Sequence, residues 1–223
     1  MPLRHMIALL AVGFAAVAAI QTPAHAQVWQ PSNGDRLEFD VFRDGSKFGK
    51  HVVVFSKAGD QLTVDSDIEL KVAFGPLTVF HYVHDVTEQY SAGRLMSLAA
   101  KTKKDGKWKQ LAADAVEGGL NVVGVAFKGL RTGVVIPSTH WNAAQLKQPA
   151  MFSTETGAML PMQVIDQGLE RVKVGSGEVE ARRYLVKSEL DATFWYDAQG
   201  RWVKCAFNAQ GSKVDYVLRE LPS

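Results

Sequence analysis

Residues 61–74 constrain the fold most. Leu62, Val64, Ile68, Leu70, Val72 and Phe74 share one parity, while Gln61, Thr63, Asp65, Asp67, Glu69 and Lys71 take the other. Successive side chains of a strand point to opposite faces, so this pattern gives one wet face and one buried face. At about 3.3 Å per residue the strand would run about 45 Å, which requires bending or coiling. Leu37, Phe39 and Val41 alternate with Arg36, Glu38 and Asp40, and Val214, Tyr216 and Leu218 with Lys213, Asp215 and Arg219.

Turn dipeptides punctuate the chain at Asp44-Gly45, Gly59-Asp60, Asp105-Gly106, Gln167-Gly168, Gln199-Gly200 and Gln210-Gly211. Regular spacing of such turns predicts an antiparallel meander. The pattern predicts thirteen strands, at about 35–43, 47–56, 61–74, 77–90, 94–104, 107–116, 120–127, 161–166, 169–174, 178–190, 192–197, 201–208 and 212–219. So many strands do not make one flat sheet, and the expected class is mainly β: one antiparallel barrel, half-barrel or sandwich. One segment departs from the pattern. Between Pro137 and Pro149, Ser138 is placed to cap a short helix through about Lys147, giving a crossover near residues 138–148.

The first 26 residues read as an address. Arg4 and His5 precede an uncharged run from Met6 to Ile20; Pro23 breaks it, and Ala24-His25-Ala26 resembles a cleavage site. This is the plan of a secretory signal peptide, and the run is short for a spanning helix. The expectation is cleavage after Ala26, a single β-rich domain over 27–223, and a soluble periplasmic or secreted protein with no transmembrane segment. The net charge of +2 gives no support to nucleic-acid binding. A single cysteine, Cys205, excludes an intramolecular disulfide framework and a multi-cysteine zinc site.

Several short motifs recur in a recognisable order: Asp44-Gly45-Ser46-Lys47-Phe48-Gly49, Ser138-Thr139-His140-Trp141-Asn142, Thr154-Glu155-Thr156-Gly157, and Phe194 to Val203. In these the chain resembles a family of small exported proteobacterial proteins that carries only a domain-of-unknown-function label. The resemblance implies a periplasmic, β-rich protein. It implies no activity, catalytic residue or cofactor.

Candidate chemistry is sparse. His81 and His84 lie three apart and should face opposite sides of a strand, so they do not form a metal pair. The nucleophile-elbow pattern Gly-x-Ser-x-Gly is absent, as is the phosphate-cradling Gly-x-x-x-x-Gly-Lys-Ser/Thr. No catalytic residue, metal ligand or cofactor is expected. Cys205, in an alternating strand, reads as a small buried hydrophobe. His140 and Trp141, in the non-strand segment, with Trp195 and Tyr196 beside the Gln199-Gly200 turn, are the candidate ligand-binding side chains. Lys101, Lys103, Lys104, Lys107 and Lys109 flank one hairpin turn and are candidates for contact with a partner or an anionic surface. The leading expectation is a non-enzymatic module that binds or carries an apolar or lipid-like ligand. The alternatives are a module contacting another envelope protein, and a hydrolase or isomerase with its site near His140.

Overall fold

The computed structural model describes residues 28–74, 77–104 and 106–222. The expected leader therefore lies outside the described residues. Eight strands come first: β1 (Arg36–Arg43), β2 (Ser46–Ala58), β3 (Gln61–Phe74), β4 (Leu77–Ser91), β5 (Arg94–Lys104), β6 (Lys107–Val116), β7 (Gly119–Val123) and β8 (Lys128–Arg131). Two short strands, β9 (Ala150–Phe152) and β10 (Met159–Pro161), pair with each other. Five more follow: β11 (Gln163–Val174), β12 (Gly177–Lys187), β13 (Ala192–Asp197), β14 (Trp202–Ala209) and β15 (Ser212–Leu218).

Thirteen of these strands form one antiparallel sheet, in the order β11-β12-β13-β14-β15-β1-β2-β3-β4-β5-β6-β7-β8. Each half is a meander of neighbours in sequence. The halves join where β15 pairs with β1, with Val41 opposite Tyr216. The outermost strands, β11 and β8, do not pair with each other. The sheet nevertheless curls: Gly175, in the β11–β12 turn, donates to the Leu218 carbonyl at the end of β15 (3.1 Å). The mainly β, antiparallel, barrel-like expectation holds.

Alternation decides which side chains meet inside. Leu37, Phe39 and Val41 of β1 are fully buried, as are Val53 and Phe55 of β2 and Val64 of β3. They join Trp202, Tyr196 and Leu218 in the main core. A satellite core of Leu98, Leu111, Ala113 and Val122 packs on Phe152. Phe152 comes from β9, so the crossover plugs the hollow of the sheet rather than hanging outside it. Its amide and carbonyl bond the Ile136 carbonyl (3.0 Å) and the Ser138 amide (2.9 Å).

Three local expectations are corrected. Gln167-Gly168 is not a turn between two strands but a bulge within β11, where register shifts between Asp166 and Leu169. The Asp166 side chain accepts from the Gly168 amide (2.9 Å), a short-range bond that mimics a turn. The expected strand 120–127 stops at Val123, and the chain turns into β8. The crossover helix is a 3₁₀ turn over Ala143–Lys147, capped by Asn142 rather than Ser138. Asn142 Oδ1 accepts from the Ala144 amide (3.0 Å), whereas Ser138 Oγ accepts from the Thr154 amide (3.2 Å).

Candidate ligand cavities either side of the crossover

The centre of the molecule is filled, not hollow. Phe39 packs against Trp202 with ring centroids 4.2 Å apart and planes tilted by 37°, and Phe55 meets Trp141 edge-on at 5.4 Å. Space remains on either side of the crossover. A first cavity of about 680 Å³ lies at the end of the sheet where β2–β3, β4–β5 and β6–β7 turn. Trp29, Leu62, Leu95, Leu120, Ile136 and Trp141 supply apolar walls, and Lys57, Asp60 and Arg94 put charge at its rim. A second cavity of about 320 Å³ lies between the crossover and strands β2–β4 and β13–β15. Both volumes fall in the range of small-molecule pockets.

The crossover divides the two cavities between consecutive residues. Thr139 and His140 line the second, and Trp141 lines the first. The backbone turns there, with His140 in the left-handed region at φ 65°. A non-glycine residue holds that conformation only where its surroundings enforce it. Here a closed ring of hydrogen bonds does so. Gln145 Nε2 donates to Tyr196 Oη (2.6 Å), and Tyr196 Oη donates to the His140 carbonyl (2.8 Å). His140 Nδ1 meets Gln145 Oε1 at 3.1 Å.

Glu88 of β4 anchors the partition from below. It is fully buried, and its carboxyl takes hydrogen bonds from Thr139 Oγ1 (2.6 Å), Trp141 Nε1 (3.1 Å) and Tyr90 Oη (2.5 Å). Burial raises its pKa above the ordinary carboxylate value, and the three donors oppose that shift.

The histidines behave as strand parity requires. His84 points inward and bonds Thr102 Oγ1 (2.8 Å) and Thr154 Oγ1 (2.9 Å). His81 points outward, 3.7 Å from Glu69. His51 points inward, with Nε2 2.8 Å from Ser66 Oγ. Burial pushes the His51 pKa down to about 3 and that of His140 down to about 4, so both are neutral at pH 7. Among the described residues no group of three or more His, Cys, Asp or Glu side chains could hold a metal ion.

Of the four expected ligand-binding side chains, His140 and Trp141 line cavities, though different ones. Tyr196 lines neither; it is fully buried and holds the turn at His140. Trp195 lines neither; it faces the opposite side of the sheet, under Lys204 (4.5 Å to the ring) and Arg183 (5.5 Å). The lysine hairpin also divides. Lys109 turns inward and pairs with Glu155. Lys103 lies over the ring of Trp108 at 5.5 Å, and Lys101 sits opposite Asp85. Lys104 and Lys107 pair at the hairpin end, where Asp105 lies outside the described residues. The side-chain partner of His140 is the Gln145 amide rather than a carboxylate.

Two residues that shape the site escaped the reading of the sequence, Glu88 and Ser66. Both sit on the apolar parity of their strands, among Val86 and Tyr90 in one and Val64 and Ile68 in the other. A polar residue on a buried parity is the signal that could have found them.

The model of the domain of unknown function DUF6134 matches residues 39–219. The chain belongs to the DUF6134 family. No curated protein matches it. Among solved structures it is similar to the crystal structure of a beta-barrel-like protein of the domain of unknown function DUF1849 from Brucella abortus, with TM-score 0.60 and 13% identity. That match covers 88% of this chain and 98% of the other. At that identity the likeness concerns the fold alone, and it places this DUF6134 chain among curled, barrel-like β sheets. No helix among the described residues is long and apolar enough to cross a membrane.

Proposed function

We propose that the protein is a non-enzymatic binding or carrier module for a lipid-like or other apolar molecule, working in the periplasm or outside the cell after its leader is removed. The observation that carries this reading is the first cavity. It is open and large enough for a ligand, and its walls are mainly apolar, with Trp29, Tyr90 and Trp141 among them. Burying apolar area there supplies the affinity, at about 25 cal/mol per Å² before the costs of association. At the rim Lys57 and Arg94 outnumber Asp60, which suits a ligand whose polar end is neutral or anionic.

Isothermal titration with dodecanol and dodecanoate tests this. Both should bind one to one, and replacing Ala115, which lines the cavity, with Trp should weaken both at least tenfold. Failure of both to bind the wild-type chain would overturn the reading.

A second reading, contact with an anionic partner in the cell envelope, draws support from Trp108. This ring is 58% exposed beside Lys103, an arrangement suited to a surface contact. Retention of the chain by an anionic envelope fraction at low salt, lost on replacing Trp108 and Lys103 with Ser, would favour it.

A further inference from the structure

The second cavity presents a different chemistry from the first. We infer that it is a separate binding site for a small uncharged molecule with an aromatic body and one hydroxyl group. Three features on its walls support this.

The first is an unused acceptor. Gln145 spends its amide N–H on Tyr196, so its oxygen receives the His140 Nδ1 proton. His140 is neutral, so Nε2 carries a lone pair. Among the described residues nothing donates to it, and His140 lines the cavity.

The second is an unused donor. His51 Nε2 and Ser66 Oγ are 2.8 Å apart, and His51 Nδ1 is buried with no partner. If Nε2 carries the proton, the Ser66 hydroxyl is left free to donate. If Nδ1 carries it, that N–H is stranded without an acceptor. A buried donor without a partner is the costlier state, so the first arrangement is favoured and the Ser66 hydroxyl faces the cavity it lines.

The third is the absence of a basic side chain. No Lys or Arg lines the cavity, and of its two carboxylates Glu155 is paired with Lys109 while Glu189 is exposed in the β12–β13 turn. Phe194, Trp202 and Tyr216 supply flat aromatic walls. An anionic ligand would lose its hydration there without a counter-charge, whereas a neutral aromatic with one hydroxyl can donate to His140 Nε2 and accept from Ser66 Oγ.

Titration with 2-naphthol, naphthalene and 2-naphthoate at pH 7 tests the inference. 2-Naphthol should bind one to one, at least tenfold tighter than 2-naphthoate. Ser66→Ala and His140→Asn should each weaken 2-naphthol about tenfold and leave naphthalene unchanged; Asn tolerates the left-handed backbone, and circular dichroism confirms that each variant folds. Ala144→Phe, which narrows the first cavity, should leave 2-naphthol unaffected. The inference is overturned if 2-naphthol does not bind, if the anion binds as well, or if Ala144→Phe abolishes binding while Ser66→Ala does not. Dodecanol binding to the first cavity is measured independently, so failure of one site is distinguishable from failure of the other.

Discussion

Trp141 Nε1 donates to Glu88 Oε2 at 3.1 Å, across 53 positions of sequence. Through this bond and those from Thr139 and Tyr90, one buried carboxyl of β4 holds the crossover that separates the two cavities. Glu88→Leu would strand three donors, each worth about 1–3 kcal/mol when left unsatisfied, less what is regained by no longer burying a carboxyl. The expected net loss is about 3 kcal/mol in urea unfolding, with Glu88→Gln, which keeps one acceptor oxygen, losing less. An unchanged midpoint in Glu88→Leu would show that the crossover is held by packing alone.

Acid should destabilise the protein partly through His51. Its folded pKa, about 3, lies below the unfolded value of about 6.5, so the unfolded chain binds the proton first as pH falls. Above pH 6.5 both states are neutral and the histidine has no effect. Below it, stability falls by about 1.4 kcal/mol per pH unit, or about 2 kcal/mol by pH 5. The variant His51→Phe, which fits the aromatic surroundings of Phe39, Trp202 and Tyr216, should lose about that much less between pH 7 and pH 5. Parallel curves for the two proteins would mean that His51 titrates normally.

Gly45 and Gly49 belong to one short motif but should fail differently. Gly45 has φ 82° and open space around it, so Gly45→Ala carries only the left-handed backbone cost of about 1–2 kcal/mol. Gly49 stands opposite Leu70, and a Cβ there would collide with the Glu69 carbonyl and the Leu70 backbone. Gly49→Ala should therefore cost more, about 3 kcal/mol, because two strands must separate. Equal chemical-denaturation midpoints for the two variants would contradict this.

Cys205 should be silent in the native state. It is buried, and burial pushes its thiol pKa up. Reaction with an aromatic disulfide reagent at pH 8 should be at least a hundredfold slower in the folded chain than in urea. Cys205 lines the second cavity, so rapid stoichiometric reaction without unfolding would mean that the reagent reaches the thiol through it.

Strand periodicity made most of the fold legible, because β1 and β3 to β6 each have one wetter and one more buried face; β2 departs from this, with His51, Val52 and Val53 buried in succession. It failed where chemistry is local and not periodic. The bulge at Gln167-Gly168 uses the same residues as a turn, and only the pairing of β11 with β12 distinguishes them. The 3₁₀ cap fell to Asn142 because Ser138 was already bonded to Thr154, a contact across 16 residues that no local pattern records. In the site, His140 and Trp141 were found because they stand outside any strand. That they face different cavities depends on a left-handed backbone at His140, enforced by Tyr196 from far along the chain.

The central claim is that the first cavity holds an apolar molecule. Native mass spectrometry of the chain, purified without detergent and then offered dodecanol, tests it most directly. A single added mass is expected, either carried through purification and released by organic extraction or gained from dodecanol, and at least tenfold reduced in Ala115→Trp. A bare protein mass under both conditions, or the same adduct on Ala115→Trp, would contradict it.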